Sequence, residues 1–126
     1  VLGESQLVAF VATSDLDRAR TFYEGALGLQ LLSVDQYACL FAASSNATKL
    51  RVTLVQQVAV APYTVLGWEV DDIEATVKRL TMSGVVLERF DGIDQDELGI
   101  WTAPGGDRVA WMKDPDGNIL SISQRA

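Results

Sequence analysis

A chain of 126 residues with 48% apolar and 21% charged side chains has the balance and length of one globular domain, able to bury roughly two thirds of its unfolded surface. No apolar run approaches the ~18 residues that span a bilayer, and a formal charge of −7 opposes a phosphate-binding surface, so neither membrane nor nucleic acid is expected as a partner. Histidine is absent and Cys39 is the single cysteine, which removes the commonest metal ligand, the commonest general base near neutral pH and any internal disulfide.

Val1-Leu2-Gly3-Glu4 lacks the basic-then-apolar pattern of a signal peptide, so a reducing cytoplasm is the expected location, although a chain without an initial Met could have lost a leader. Residues 7–12, LVAFVA, read as a strand that ends at Thr13-Ser14-Asp15. Ser14 is the expected N-cap of a helix carrying Asp15 and Asp17 in its first turn, with Leu16, Ala19, Phe22 or Tyr23, Ala26 and Leu27 on one face and Gly28 as its stop. Strand-like runs follow at 29–34, 37–42 and 49–57, with the turn cluster SSNATK at 44–49 and Pro62 as punctuation.

The order then repeats. YTVLGWEV (63–70) reads as a strand, Asp71-Asp72 open a helix with Ile73, Val77 and Leu80 on one side, and Gly84 stops it. The runs 85–90, 98–103, 108–113 and 118–123 are further strands, so the order of strand, helix and strands recurs, a unit of about 60 residues used twice. The boundaries are about 5–58 for the first module and 62–124 for the second, within a single domain over 1–126. The loop 91–97, DGIDQDE, with four acidic residues, is a solvated turn or the acidic lip of a site. The Pro-Gly-Gly of TAPGGDR lacks the following helix of a phosphate loop and reads as a hairpin turn.

Two βαβββ halves, with SDLDRARTFYEGALGL after the first strand and KDPDGNIL before the last, resemble the vicinal oxygen chelate superfamily over nearly the whole chain. That superfamily includes glyoxalase I, fosfomycin-resistance enzymes, extradiol dioxygenases and bleomycin-resistance proteins. YTVLGWEVDDI and ELGIWTAPGGDRVAWMKDPDGN further resemble small bacterial glyoxalase-like proteins. The resemblance implies an α+β fold: a cup-shaped, eight-stranded mixed sheet with helices outside, a ligand in the cup and a homodimer. It also implies chelating side chains at the positions of Val8, Val65 and Ser121. Two isopropyl groups and a hydroxyl cannot supply the several N, O or S donors within about 2.0–2.6 Å that a divalent ion requires, so no metal and no other cofactor is expected. Ser121 is left to hydrogen-bond a ligand or to cap the cup floor.

Side chains two apart on a strand share a face, so Phe10 and Ala12, Gly67 and Glu69, and Ile119 and Ser123 should accompany Val8, Val65 and Ser121 in a mostly apolar cup. Glu69 is the candidate general base or partner for a ligand amine, with a pKa raised by burial, unless it lies at a strand end in water or paired with an arginine. Arg51 is the candidate anchor for an anionic ligand, or is edge-exposed or paired with Glu69. Trp101 and Trp111, on adjacent predicted strands, could stack on a planar ligand or serve packing, with Tyr37, Phe41 and Tyr63 available from elsewhere, whereas Trp68 should face the helix layer. Cys39 should be buried and inert.

Two functions from different classes follow. One is a metal-free protein that holds a small apolar or aromatic molecule, for sequestration or resistance. The other is an enzyme, either a metal-independent lyase or isomerase with Glu69 as base and Arg51 or a backbone donor at the oxyanion, or a dioxygenase-related member with a metal site outside the family pattern.

Overall fold

The first run of strand formers becomes β1 (Val8–Thr13), in which Val11 and Thr13 are buried while Val8 and Phe10 are exposed. The protein is described from a computed structural model, over residues 1–43 and 48–126. Most of the expected 44–49 turn therefore lies outside the described residues, although Ala43 N–H bonds the Thr48 carbonyl at 2.9 Å across its base. The chain divides into two compact units, 1–59 and 60–126.

In the first unit β1 leads into α1 (Leu16–Arg20), followed by β2 (Gln30–Val34), β3 (Ala38–Ala42) and β4 (Lys49–Leu54). The N-cap is Asp15 and not the expected Ser14. The Thr13 hydroxyl bonds both the N–H and the carbonyl of Asp15, and the chain so turned brings the Asp15 carboxylate, not the Ser14 hydroxyl, to the Arg18 N–H at 3.1 Å. Nor is the helix uniform. After Arg20 it widens into a π-helical segment, Thr21–Ala26, closed by the Leu27 N–H on the Phe22 carbonyl at 3.0 Å. That segment carries Tyr23, fully buried, against Phe41 of β3 with ring centroids 5.9 Å apart. The sheet order is β1-β4-β3-β2, with β1 and β4 parallel and the other pairs antiparallel.

The second unit repeats this plan with β5 (Thr64–Glu69), α2 (Ile73–Met82), β6 (Trp101–Thr102), β7 (Arg108–Lys113) and β8 (Ile119–Gln124), in the order β5-β8-β7-β6. Asp72 caps α2 by accepting from the Ala75 N–H, and the Ile73 N–H, an orphan of the first turn, bonds the Gln124 side chain of β8 at 2.8 Å. Ile73 and Val77 of α2 are buried, as are Ala110, Met112, Leu120 and Ile122 of β7 and β8, which α2 contacts. The Arg108–Glu74 ion pair, 2.8 Å, also joins β7 to α2.

The run 85–90, expected as a full strand, is not one. Leu87 forms a single bridge to Met112, Glu88 N–H bonds the Trp111 carbonyl at 2.8 Å, and the chain then leaves the sheet until Trp101 and Thr102 pair with Val109 and Arg108. The outer flank of β7 is thus shared by two short segments. The loop between them is held by Gln95, whose side chain accepts from Phe90 N–H and donates to the carbonyls of Glu88 and Gly99, and by Arg89, which donates to the carbonyls of Asp96 and Glu97. A loop that satisfies its own polar groups has no need of the ladder that an uninterrupted strand would supply.

The turn DPDGN joins β7 to β8. The carboxylate of Asp114, buried, accepts from the N–H groups of Asp116 and Asn118 at 3.0 and 2.9 Å and from the Asn118 amide at 2.8 Å, while Gly117 takes φ 91°, a conformation that L side chains rarely adopt. Replacing Asp114 with Ala leaves those donors without their acceptor and should cost about 2 kcal/mol or more, read as a lower urea midpoint at unchanged slope. An unchanged midpoint would show that the turn does not depend on this carboxylate.

Candidate functional site

In the second unit the sheet face opposite the buried Leu120 and Ile122 carries Val65, Gly67 and Glu69 of β5, Ile119, Ser121 and Ser123 of β8, and Val109 and Trp111 of β7. Register sets them in rows: Gly67, Ser121 and Trp111 side by side, then Glu69, Ser123, Val109 and Trp101. The Trp101 and Trp111 rings lie 6.2 Å apart at 32°, and Phe90 meets Trp111 edge-on at 5.6 Å and 85°. Three aromatic rings therefore form one half-buried cluster. Trp68, in register with Ile122, belongs to the opposite face.

Gly67 and Ser121 are coupled by space. A Cβ built on residue 67 would collide with the Ser121 Oγ, so the hydroxyl rests directly over a backbone that only glycine leaves clear. Ser121 makes no side-chain hydrogen bond among the described residues. Val65 lies in the irregularity between Thr64 and Leu66 and is exposed.

Glu69 is not the desolvated carboxylate expected of a general base. Its side chain is 60% exposed at the end of β5, with Arg125 Nε at 3.8 Å. Of the acidic loop, Asp96 is used internally, accepting from the N–H groups of Leu98 and Ile100 at 2.9 Å each. Asp94 and Asp96 also line an open hollow of about 260 Å³ with Ile100, Trp101 and Thr102.

In the first unit, Phe10, Arg51, Leu40 and Ser33 form one row across β1, β4, β3 and β2. Phe10 is 65% exposed and Arg51 is half-buried. Tyr37 is exposed in the turn before β3, where Asp35 accepts from the N–H groups of Tyr37 and Ala38 at 2.7 and 2.9 Å. Those two bonds, outweighing a desolvation that acts the other way, hold the Asp35 carboxyl below the ordinary aspartate range, and the Arg51 charge adds to the effect.

Phe41, a candidate ligand contact by sequence, is placed instead in the core of the first unit. It pairs with Leu50 in register, is fully buried and packs on Tyr23. Alternation puts Cys39 beside it on that face, so Tyr37, Cys39 and Phe41 do not line a site together. Sequence reasoning missed Phe90, hidden at the end of an apparent strand, and Arg125, which no pattern singled out.

With this geometry in view, the family model of the Glyoxalase/Bleomycin resistance protein/Dioxygenase superfamily matches residues 6–122. The chain belongs to this superfamily. The superfamily member from Sphaerobacter thermophilus is 20% identical, with a TM-score of 0.74 over 99% of this chain and 100% of its own. A glyoxalase / bleomycin resistance protein from Catenulispora acidiphila gives 19% and 0.74 over 96% and 98%, and a lactoylglutathione lyase from Agrobacterium tumefaciens gives 17% and 0.71 over 96% and 93%. At such identities the likeness is one of fold, α+β with the βαβββ module used twice. No curated protein matches the chain.

The metal site that the superfamily resemblance implies does not fit these residues. Val8 and Val65 offer only hydrocarbon, and among the described residues no three His, Cys, Asp or Glu side chains are grouped so as to hold an ion.

Cys39 supplies a check on these placements. Burial pushes its thiol above the ordinary value, so it should stay protonated at neutral pH and react with a disulfide reagent only on unfolding. Phe41→Leu should lower the urea midpoint and speed that labelling without changing ligand affinity on either open face. Rapid labelling of the native wild type would place Cys39 outside the core.

Proposed function

We propose that this superfamily member binds a small apolar or aromatic molecule without a metal ion, and that the ligand lies on the second-module face against Trp101, Trp111 and Phe90. The observation that carries the reading is the aromatic cluster: two indoles 6.2 Å apart, braced by a ring edge at 5.6 Å. Rings held by one another lose little freedom when a further ring stacks on them, and each aromatic contact adds about 0.5–1.5 kcal/mol beyond the area it covers. Gly67 and Ser121, in the same row as Trp111, present almost no side chain, so the surface beside Trp111 is open to a flat molecule. Sequestration of such a molecule, in one domain made of both modules, as a homodimer in the cytoplasm, is the role this chemistry serves. A lyase or isomerase built on Glu69 finds no support in a carboxylate that is mostly exposed and ion-paired.

Calorimetric titration with a neutral planar probe, 2-naphthol, should saturate and return the probe unchanged. Trp111→Leu should weaken binding about fivefold or more, and Glu69→Gln should leave it as it was. Catalysed conversion of the probe, or indifference to Trp111→Leu, would overturn the assignment. Zn²⁺, Mn²⁺, Fe²⁺ and Ni²⁺ should leave the thermal midpoint of metal-free protein where it is, because an ion bound only by the folded state would raise it. One equivalent of tightly held metal would restore metal-dependent chemistry.

A further inference from the structure

The first module carries a feature that the aromatic face of the second does not use. The chain has 17 acidic side chains for 10 basic ones, so a cation has no shortage of partners. Arg20, Arg108, Lys113 and Arg125 each take a carboxylate, and Arg89 takes two carbonyls. Arg51, half-buried in the middle of β4, takes none: among the described residues its side chain has no hydrogen bond, ion pair or ring contact. The nearby Asp35 carboxylate is committed through one oxygen to the Tyr37 and Ala38 N–H groups and forms no ion pair with it. Lys49, two residues back on the same face of β4, also has no ion pair with a carboxylate among the described residues. The Arg51 nitrogens are not among the buried unpartnered atoms, so the guanidinium reaches solvent and is open to a ligand that brings acceptors in place of water.

The neighbours indicate what that is. Phe10 stands beside Arg51 in register on the parallel strand β1 and is 65% exposed, an unusual position for a phenylalanine. The next row along holds Ala12, Thr53 and Ala38, so small side chains flank the pair on that side. The Thr53 hydroxyl in that row is itself buried with no hydrogen-bond partner, so the row lacks an acceptor as well. An exposed ring surface next to an unpaired guanidinium suits a planar ring that bears an anionic fork at one end.

We infer that the open face of the first module, centred on Phe10 and Arg51, is a binding site for a small aromatic carboxylate. The ring lies on Phe10 and the carboxylate takes the Arg51 guanidinium on the neighbouring strand, with Lys49 adding positive charge from the row behind. This inference goes beyond the proposed function and does not depend on the indole face of the second module.

The test is calorimetric titration of the full chain with benzoate, with benzyl alcohol and acetate as the probes that lack the charge or the ring. Benzoate should saturate, and each of the other two should bind at least about tenfold more weakly. Arg51→Gln should weaken benzoate at least about tenfold, and Arg51→Lys, which keeps the charge but loses the fork, should fall between. Phe10→Ala should weaken benzoate while leaving acetate unchanged. Absence of saturation by benzoate, or equal binding by wild type and a folded Arg51→Gln protein, would overturn the inference. Should Arg51→Gln fail to fold, phenylglyoxal labelling of the wild type with peptide mapping decides: benzoate should protect Arg51 and not Arg79 of α2, and equal labelling with and without benzoate overturns the inference.

Discussion

Each module depends on one pairing, between its first strand and its last. β1 lies parallel to β4 and β5 parallel to β8, and parallel neighbours cannot be joined by a tight turn, so a long connection must intervene. In each module that connection holds the helix and two further strands, and the helix packs on one face of the sheet. The other face is left without a helix, and the residues that meet across the parallel pair come from opposite ends of the module. Phe10 beside Arg51 and Gly67 beside Ser121 are such meetings, 41 and 54 positions apart in sequence.

Strand alternation then sorts the chemistry. Leu50 and Val52, Cys39 and Phe41 point into one core, and Leu120 and Ile122, Ala110 and Met112 into the other. Burial of such side chains, at roughly 1.5–3 kcal/mol for a large one, holds each module together. A fold stabilised by its own cores leaves the residues of its open faces, Val8, Val65 and Ser121 among them, free to shape a surface.

The two open faces differ in character. The second-module face is aromatic, with two indoles and a phenyl ring held against one another and almost no side chain at Gly67 and Ser121 beside Trp111. The first-module face is sparse in rings but carries an arginine whose side chain has no hydrogen bond or ion pair among the described residues. One favours stacking and the other favours a charge-assisted hydrogen bond, and the two kinds of interaction select different molecules.

Local signals in the sequence were sufficient for the elements whose physics is local. The opening of the second helix at Asp72, the DPDGN turn, the stop at Gly84 and the strand alternation from Val8 to Thr13 all rest on bonds or steric limits within a few residues, and the repeated order of strands and helices carried the fold class. The shift of the first N-cap from Ser14 to Asp15 is the size of error that a side chain bonding its near neighbour introduces. Tertiary structure alone decided the rest. Whether 85–90 runs as a strand depended on Gln95 and Arg89 closing a loop, whether Glu69 is desolvated depended on where β5 ends and on Arg125, and whether Phe41 meets a ligand or Tyr23 depended on which face of β3 the π-helical segment covers. Alternation in a sequence says which side chains share a face, but only packing says which of the two faces is covered.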